Sequence, residues 1–371
     1  MATTTLARTA ASTATRIGRS TVDHNAPIRC WLLAVAALVL LMIAVGGATR
    51  LTGSGLSITE WKPLIGAIPP LSEADWATAF GKYQQIPQYT QVNKGMSLPE
   101  FKTIFWWEWG HRFLGRVIGL AFALPMLWFA LRGRLPTGLA PKLLGLLALG
   151  GLQAGIGWYM VASGLVDRVD VSQYRLALHL GTAFAILGGL IWVAMGLRPR
   201  STQAVYLQTV TAVQRRGAAL VLTLIGVQVG LGALVAGLKA GLTYNTWPLM
   251  DGRLIPHGLG TLVPWYLNFF ENVTAVQFNH RMVAYVLTGV VIWHGLSLVR
   301  TADDKRLRQS AGLLIAGVLA QVVLGIWTLL AVVPVSLGII HQVGAAVLLG
   351  LAVRHLYLVR ERPPVRRHDQ R

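Results

Sequence analysis

The chain has 371 residues, 54% hydrophobic and only 13% charged, and its apolar residues fall in runs of about 20, the length a helix needs to cross a bilayer. That pattern excludes a soluble globular domain and describes an all-α polytopic membrane protein. A single cysteine, Cys30, excludes an intramolecular disulfide and makes thiol chemistry an unsuitable main activity.

In chain order, the first 22 residues, "MATTTLARTAASTATRIGRSTV", lack acidic side chains, a composition shared by organelle transit peptides and basic cytoplasmic tails. The tail reading assigns 1–30 to the cytoplasm. Eight spans follow, near 31–48, 112–131, 143–162, 176–196, 217–237, 277–299, 311–333 and 338–358. With a cytoplasmic N-terminus, the inner segments hold 21 Lys and Arg against 5 Asp and Glu, and the outer side 12 against 9. The net charge of +19 therefore reports topology and attraction to an anionic lipid bilayer, with no nucleic acid partner. This places both termini in the cytoplasm, at a bacterial inner membrane or, if the leader is a transit peptide, a mitochondrial one.

Between the first two spans lies a long outer segment in which Ser72 of "SEADWATAFGKYQQ" is an expected N-cap and Pro99 of "LPEFKTIFWWEWGHR" an expected helix start. Long loops with helical patches usually do something, and a lid over the outer helix ends is expected.

The chain repeats itself. "EWGHRFLGRVIGLAF" from Glu108 aligns with "QFNHRMVAYVLTGVV" from Gln277. "LGGLQAGIGWYMVASGL" pairs with "LAQVVLGIWTLLAVVP", matching Gln153 with Gln321 and Gly157 with Gly325. Upstream, "GSGLSITEWKPLIGAIPP" is echoed by "KAGLTYNTWPLMDGRLIP". Two four-helix units of one orientation are expected, 31–197 and 217–358, joined by a basic linker at 198–216 and followed by a basic tail at 359–371.

His111, His179, His280 and His341 stand near the outer ends of the second and fourth spans of the two units, whereas His294 and His355 read as single residues near inner helix ends. A lone interfacial imidazole simply bridges lipid and water. Four at matching places point further, because the second and fourth helices of an up-down bundle are diagonal partners whose side chains meet across the core. Two imidazoles per unit with no cysteine suit haem better than zinc, which wants three or four clustered ligands. Arg112 and Arg281 follow two of these histidines; each reads equally as a partner for a haem propionate or as an interfacial arginine reaching water. Glu108 shares a helix face with His111, and its aligned partner is Gln277. A carboxylate kept in one half only points to proton chemistry there, against the plainer reading of a solvated interfacial Glu.

"GGATRLTGSGLSITEWKPLIGAIPP", "EWGHRFLGR", "YRLALHLGTAF", "QFNHRMVAY" and "IIHQVGA" resemble the motifs of the haem A synthase family over residues 30–358, in the class lacking an outer-loop cysteine pair. The resemblance implies eight transmembrane helices in two pseudosymmetric four-helix bundles and oxidation of the C8 methyl of haem O to the formyl group of haem A. It further implies haem b ligated by His280 and His341, substrate haem held by His111 and His179, and Glu108 as the acid/base group or cation stabiliser. Implied partners are a haem O synthase and haem-copper oxidase assembly factors, with a homo-oligomer left open. A membrane cytochrome b passing electrons between quinol and a partner is the competing reading of bis-histidine bundles.

Overall fold

A computed structural model describes residues 23–63, 65–198 and 210–360. Residues 1–22 of the expected tail, 199–209 of the expected linker and 361–371 lie outside the described residues. Ten α-helices form among the described residues: α1 (Ala26–Leu51), α2 (Glu73–Tyr83), α3 (Pro87–Gln91), α4 (Leu98–Leu131), α5 (Ala140–Ala162), α6 (Gln173–Gly196), α7 (Ala212–Gly237), α8 (Val273–Thr301), α9 (Lys305–Leu330) and α10 (Val335–Arg360). All but α2 and α3 are long and apolar enough to cross a membrane, and no β-strand occurs among the described residues. The protein is an all-α, multi-pass membrane protein.

Helix ends follow local chemistry. Ser72 caps α2 by accepting from Asp75 N at 3.1 Å, while the Asp75 carboxylate accepts from Ser72 N at 3.0 Å. At α4 the Glu100 carboxylate accepts from Ser97 N at 2.7 Å, and Pro99 occupies the first turn. The outer helix expected at Pro99 and the span expected from 112 are thus one 34-residue helix. Glu108 and His111 sit inside it, so the backbone around them is fixed by hydrogen bonds in both directions.

Farther along α4, Pro125 has no N–H to donate to the carbonyl four residues back. The Trp31 indole donates to that Ala121 carbonyl at 2.8 Å, so a neighbouring helix supplies the missing bond. α9 stops at Leu330 rather than 333 because Val332 and Val333 turn the chain at φ of 61° and 54°. Two β-branched residues in the left-handed region are strained. Asn245 ties the turn down by donating to Leu329 O at 2.9 Å.

α1 packs on α4 and α6, and α5 touches α4 and α6; α7 packs on α8 and α10, and α9 on the same two. The two groups of four meet through α1, α6, α7 and α10. Lipid is as apolar as leucine, so close packing and polar bridges, rather than expulsion of water, hold such helices together. Gly47 lets the Gln342 amide approach α1 and donate to Ile43 O at 2.8 Å. Near the α1 C-terminus, Arg50 donates to Ala236 O at 3.0 Å and Lys239 pairs with Asp170 at 2.6 Å. Above α4 and α5, α2 and the segments around it form a separate aromatic layer with Tyr83 and Phe101 fully buried.

Candidate functional site

The two connector segments are held to the bundle in the same way. Arg112 on α4 donates to the carbonyls of Ile58 at 2.8 Å and Glu60 at 3.0 Å. Arg281 on α8 donates to Tyr244 O at 2.8 Å and Thr246 O at 2.9 Å. Ile58 aligns with Tyr244 and Glu60 with Thr246, so each guanidinium reaches the same pair of carbonyls in its own half. A guanidinium presents a planar fork of donors, and two carbonyls two residues apart fit it.

The halves part at the residue four before each arginine. Glu108 is 2% exposed. Its carboxylate accepts from Arg112 at 2.6 Å, from the Ser57 hydroxyl at 2.7 Å and from Ile58 N at 2.8 Å. Gln277 instead donates to Tyr244 O at 3.1 Å, and its amide oxygen is buried without a hydrogen-bond partner. The first half therefore has a buried carboxylate with three donors, and the second a neutral group with an open acceptor. Farther out, Lys82 at 2.9 Å and Lys62 at 3.0 Å hold the Glu60 carboxyl below the usual carboxylate range.

His111, His179, His280 and His341 lie in the N-terminal halves of α4, α6, α8 and α10 and are all half-buried. His111 and His179 belong to helices of the first group, and His280 and His341 to helices of the second. Each ring rests on a glycine of the preceding spanning helix. A Cβ would stand 3.1 Å from His111 at Gly46, 3.0 Å from His179 at Gly157, 3.2 Å from His280 at Gly232 and 2.9 Å from His341 at Gly325. Three of these glycines are preceded, one helical turn earlier, by a glutamine that donates to the histidine's own carbonyl: Gln153 to His179 at 3.0 Å, Gln228 to His280 at 3.0 Å and Gln321 to His341 at 2.8 Å.

Sequence reasoning paired Gln153 with Gln321 and Gly157 with Gly325 but missed Gln228, Gly232 and Gly46. The signal is legible afterwards as "QAGIG", "QVGLG" and "QVVLG" at 153, 228 and 321. It also treated His294 and His355 as single residues. The structure joins them, Nε2 to Nε2 at 2.9 Å, with Ser310 Oγ 3.1 Å from His355 Nδ1 and both rings 1% exposed. Their positions, 14 residues beyond His280 and His341 on the same helices, carried that signal. No group of three or more His, Cys, Asp or Glu suited to a metal ion occurs among the described residues.

Residues 29–353 match the COX15-CtaA family model, described as cytochrome oxidase assembly protein. The chain is 54% identical over 342 residues to the "Heme A synthase" of Parvibaculum lavamentivorans, which covers 92% of this chain and 96% of that protein. It is 53% identical to the "Heme A synthase" of Chelativorans sp. over 88% of this chain and 90% of that one. The protein of that name from Mesorhizobium japonicum is 51% identical over 90% of each. With a match spanning all eight membrane helices, the chain belongs to the COX15-CtaA family of cytochrome oxidase assembly proteins.

Proposed function

We propose that this protein is a haem A synthase, a membrane-bound oxidoreductase that converts the C8 methyl of haem O to the formyl group of haem A for haem-copper oxidases. The observation that carries the reading is the internal contrast: two histidine pairs in matching settings, only one of them beside a buried carboxylate. The chain divides into units at 31–197 and 217–358, and the contacts of α1, α4, α5 and α6 with one another, and of α7 to α10 likewise, support this division. Haem O is the substrate of the first unit, held by His111 and His179. Haem b is the resident cofactor of the second, held by His280 and His341.

The donor set fits haem. Each unit offers two imidazoles without a hydrogen bond between their rings, whereas the inner pair His294 and His355 is closed by one. Glycine under each ring lets the imidazole sit close against the neighbouring helix, and His179 Nδ1 is buried without a partner. Bound haem b supplies one-electron redox chemistry.

Turning a methyl into an aldehyde takes two successive two-electron oxidations, the departure of protons and the gain of one oxygen atom from water or dioxygen. Glu108, one turn before His111, is the group placed to stabilise positive charge at the reacting carbon and to take a proton. Arg112 donates to its carboxyl, and the Ser57 and Ile58 donors fix the segment 53–63 as a roof that excludes water. Arg112 and Arg281 spend two donors each on connector carbonyls, so any propionate contact falls to the remaining guanidinium edge; Arg281 Nε is buried without a partner.

The setting is the inner membrane of a bacterium, with both termini cytoplasmic, a haem O synthase as supplier and oxidase assembly factors as recipients. The test is co-expression with a haem O synthase, followed by extraction and mass analysis of the haems. Appearance of haem A is expected. Persistent haem O with a normal bis-histidine spectrum would instead identify an electron-carrying cytochrome b.

A further inference from the structure

The four histidines are not held alike. Gln153, Gln228 and Gln321 each stand four residues before the glycine that seats a histidine. Besides donating to the histidine carbonyl, each amide nitrogen lies by the ring: 3.5 Å from His179 Nε2, 3.1 Å from His280 Nδ1 and 3.2 Å from His341 Nδ1. In all three the amide oxygen is buried with no hydrogen-bond partner. A buried carboxamide oxygen left open is costly, and one that recurs three times beside the same residue type points to a donor that is to come. At the fourth place, four residues before Gly46, stands Met42. Its methyl group lies 3.4 Å from where a Cβ of Gly115 would be, and it offers His111 neither a donor nor a useful acceptor.

We propose that Gln153, Gln228 and Gln321 are positioning residues that fix the tautomer and rotation of His179, His280 and His341, and that Met42 leaves His111 unheld so that the first unit can release its haem. The inference rests on the haem reading above. An imidazole binds iron through Nε2 only if the proton sits on Nδ1, and that N–H then needs an acceptor. Half a turn of the amide of Gln228 or Gln321 presents its open oxygen to Nδ1 in exchange for the bond to the histidine carbonyl, whereas Gln153 lies by Nε2 of His179, so the His179 ring must also rotate to bring its unpartnered Nδ1 to that oxygen. Gly344 provides space at Gln321, since a Cβ there would overlap the amide oxygen. The second unit thus has both ligands locked, as suits a cofactor that stays. The first has one locked and one loose, as suits a substrate that enters and a product that leaves.

The test uses the full-length protein in detergent or nanodiscs, with three measurements: the midpoint potential of the resident haem, its low-temperature EPR g-values, and the rate of haem transfer to excess apomyoglobin. Gln321→Met and Gln228→Met are expected to raise the potential, change the g-values and speed loss of the resident haem by about 10- to 100-fold. Gln321→Glu, close in shape and a stronger acceptor, is expected to lower the potential, which covers the case in which a Met variant fails to fold. Met42→Gln is expected to slow transfer of haem from the first unit about 10-fold and leave the resident haem's potential unchanged. Potentials, g-values and transfer rates unmoved in the three glutamine variants and in Met42→Gln, while wild type shows a bis-histidine haem, would overturn the proposal and leave the functional reading standing. A wild type that binds no haem through these histidines would overturn both.

Discussion

The two arginine clamps of this protein are nearly the same object, yet they enclose different chemistry. Arg112 and Arg281 grip equivalent carbonyls at distances that agree within about 0.1 Å. Beneath one lies a carboxylate with three donors, and beneath the other an amide with an idle acceptor. A clamp alone is architecture, because both halves need their connectors tied down. What the first half adds is a negative charge that costs several kcal/mol to bury and is kept only with its cation beside it. Gln277 occupies the equivalent place without a charge, and the role proposed for Glu108 is built on that difference.

The largest expected effect comes from erasing the contrast. Glu108→Gln gives the first unit the side chain of the second, and haem A formation is expected to fall by at least about 100-fold, with the bis-histidine absorption spectrum retained. Undiminished haem A in extracted cofactor would remove Glu108 from the reaction. Next come the clamps: Arg112→Met strands a buried carboxylate and is expected to cost about 3–5 kcal/mol of stability. Arg281→Met strands only carbonyls and is expected to cost about 1–3 kcal/mol. Thermal unfolding of the two variants in one detergent decides this, and equal losses would mean that Glu108 is not the charge Arg112 serves.

Much of this was legible before any coordinate. Runs of apolar residues gave the eight helices, the His-Arg echo gave the register of α4 against α8, and the echo of "GSGLSITEWKPLIGAIPP" in "KAGLTYNTWPLMDGRLIP" gave that of the connectors. The glycine seats were only half legible, because the repeat paired Gly157 with Gly325 while 40 glycines in a membrane protein hid Gly46 and Gly232. The environment of Glu108 was not legible. Its acceptor geometry depends on Ser57 and Ile58, about 50 residues away, folding back over α4. The pairing of His294 with His355 was hidden because each residue alone looks interfacial.

A smaller effect is expected at the seats. Gly325→Ala would press a methyl against His341 at 2.9 Å, whereas a Cβ at Gly289 meets nothing within 4 Å. The first is expected to cost about 1–3 kcal/mol and broaden the haem spectrum, and the second to be silent. Identical spectra in the two variants would argue that the glycines serve general packing only.

The smallest effect belongs to the surface. Glu60 joins Lys82 and Lys62, and nothing at Thr246 repeats this. Its carboxyl is held below the ordinary value of 4.5, so its contribution is present above that pH and lost as pH falls through the lower folded value. Glu60→Gln is expected to change stability by less than about 1 kcal/mol, and by less still in high salt. A larger loss in an unfolding titration would mean that the roof depends on this pair.

The division of labour is tested most directly by extracting and weighing the haems from four variants co-expressed with a haem O synthase. His111→Ala and His179→Ala are expected to retain haem b and carry neither haem O nor haem A. His280→Ala and His341→Ala are expected to lose haem b and still bind haem O. Loss of haem b from the first two variants with its retention in the second two would contradict the assignment of substrate and cofactor to the two halves.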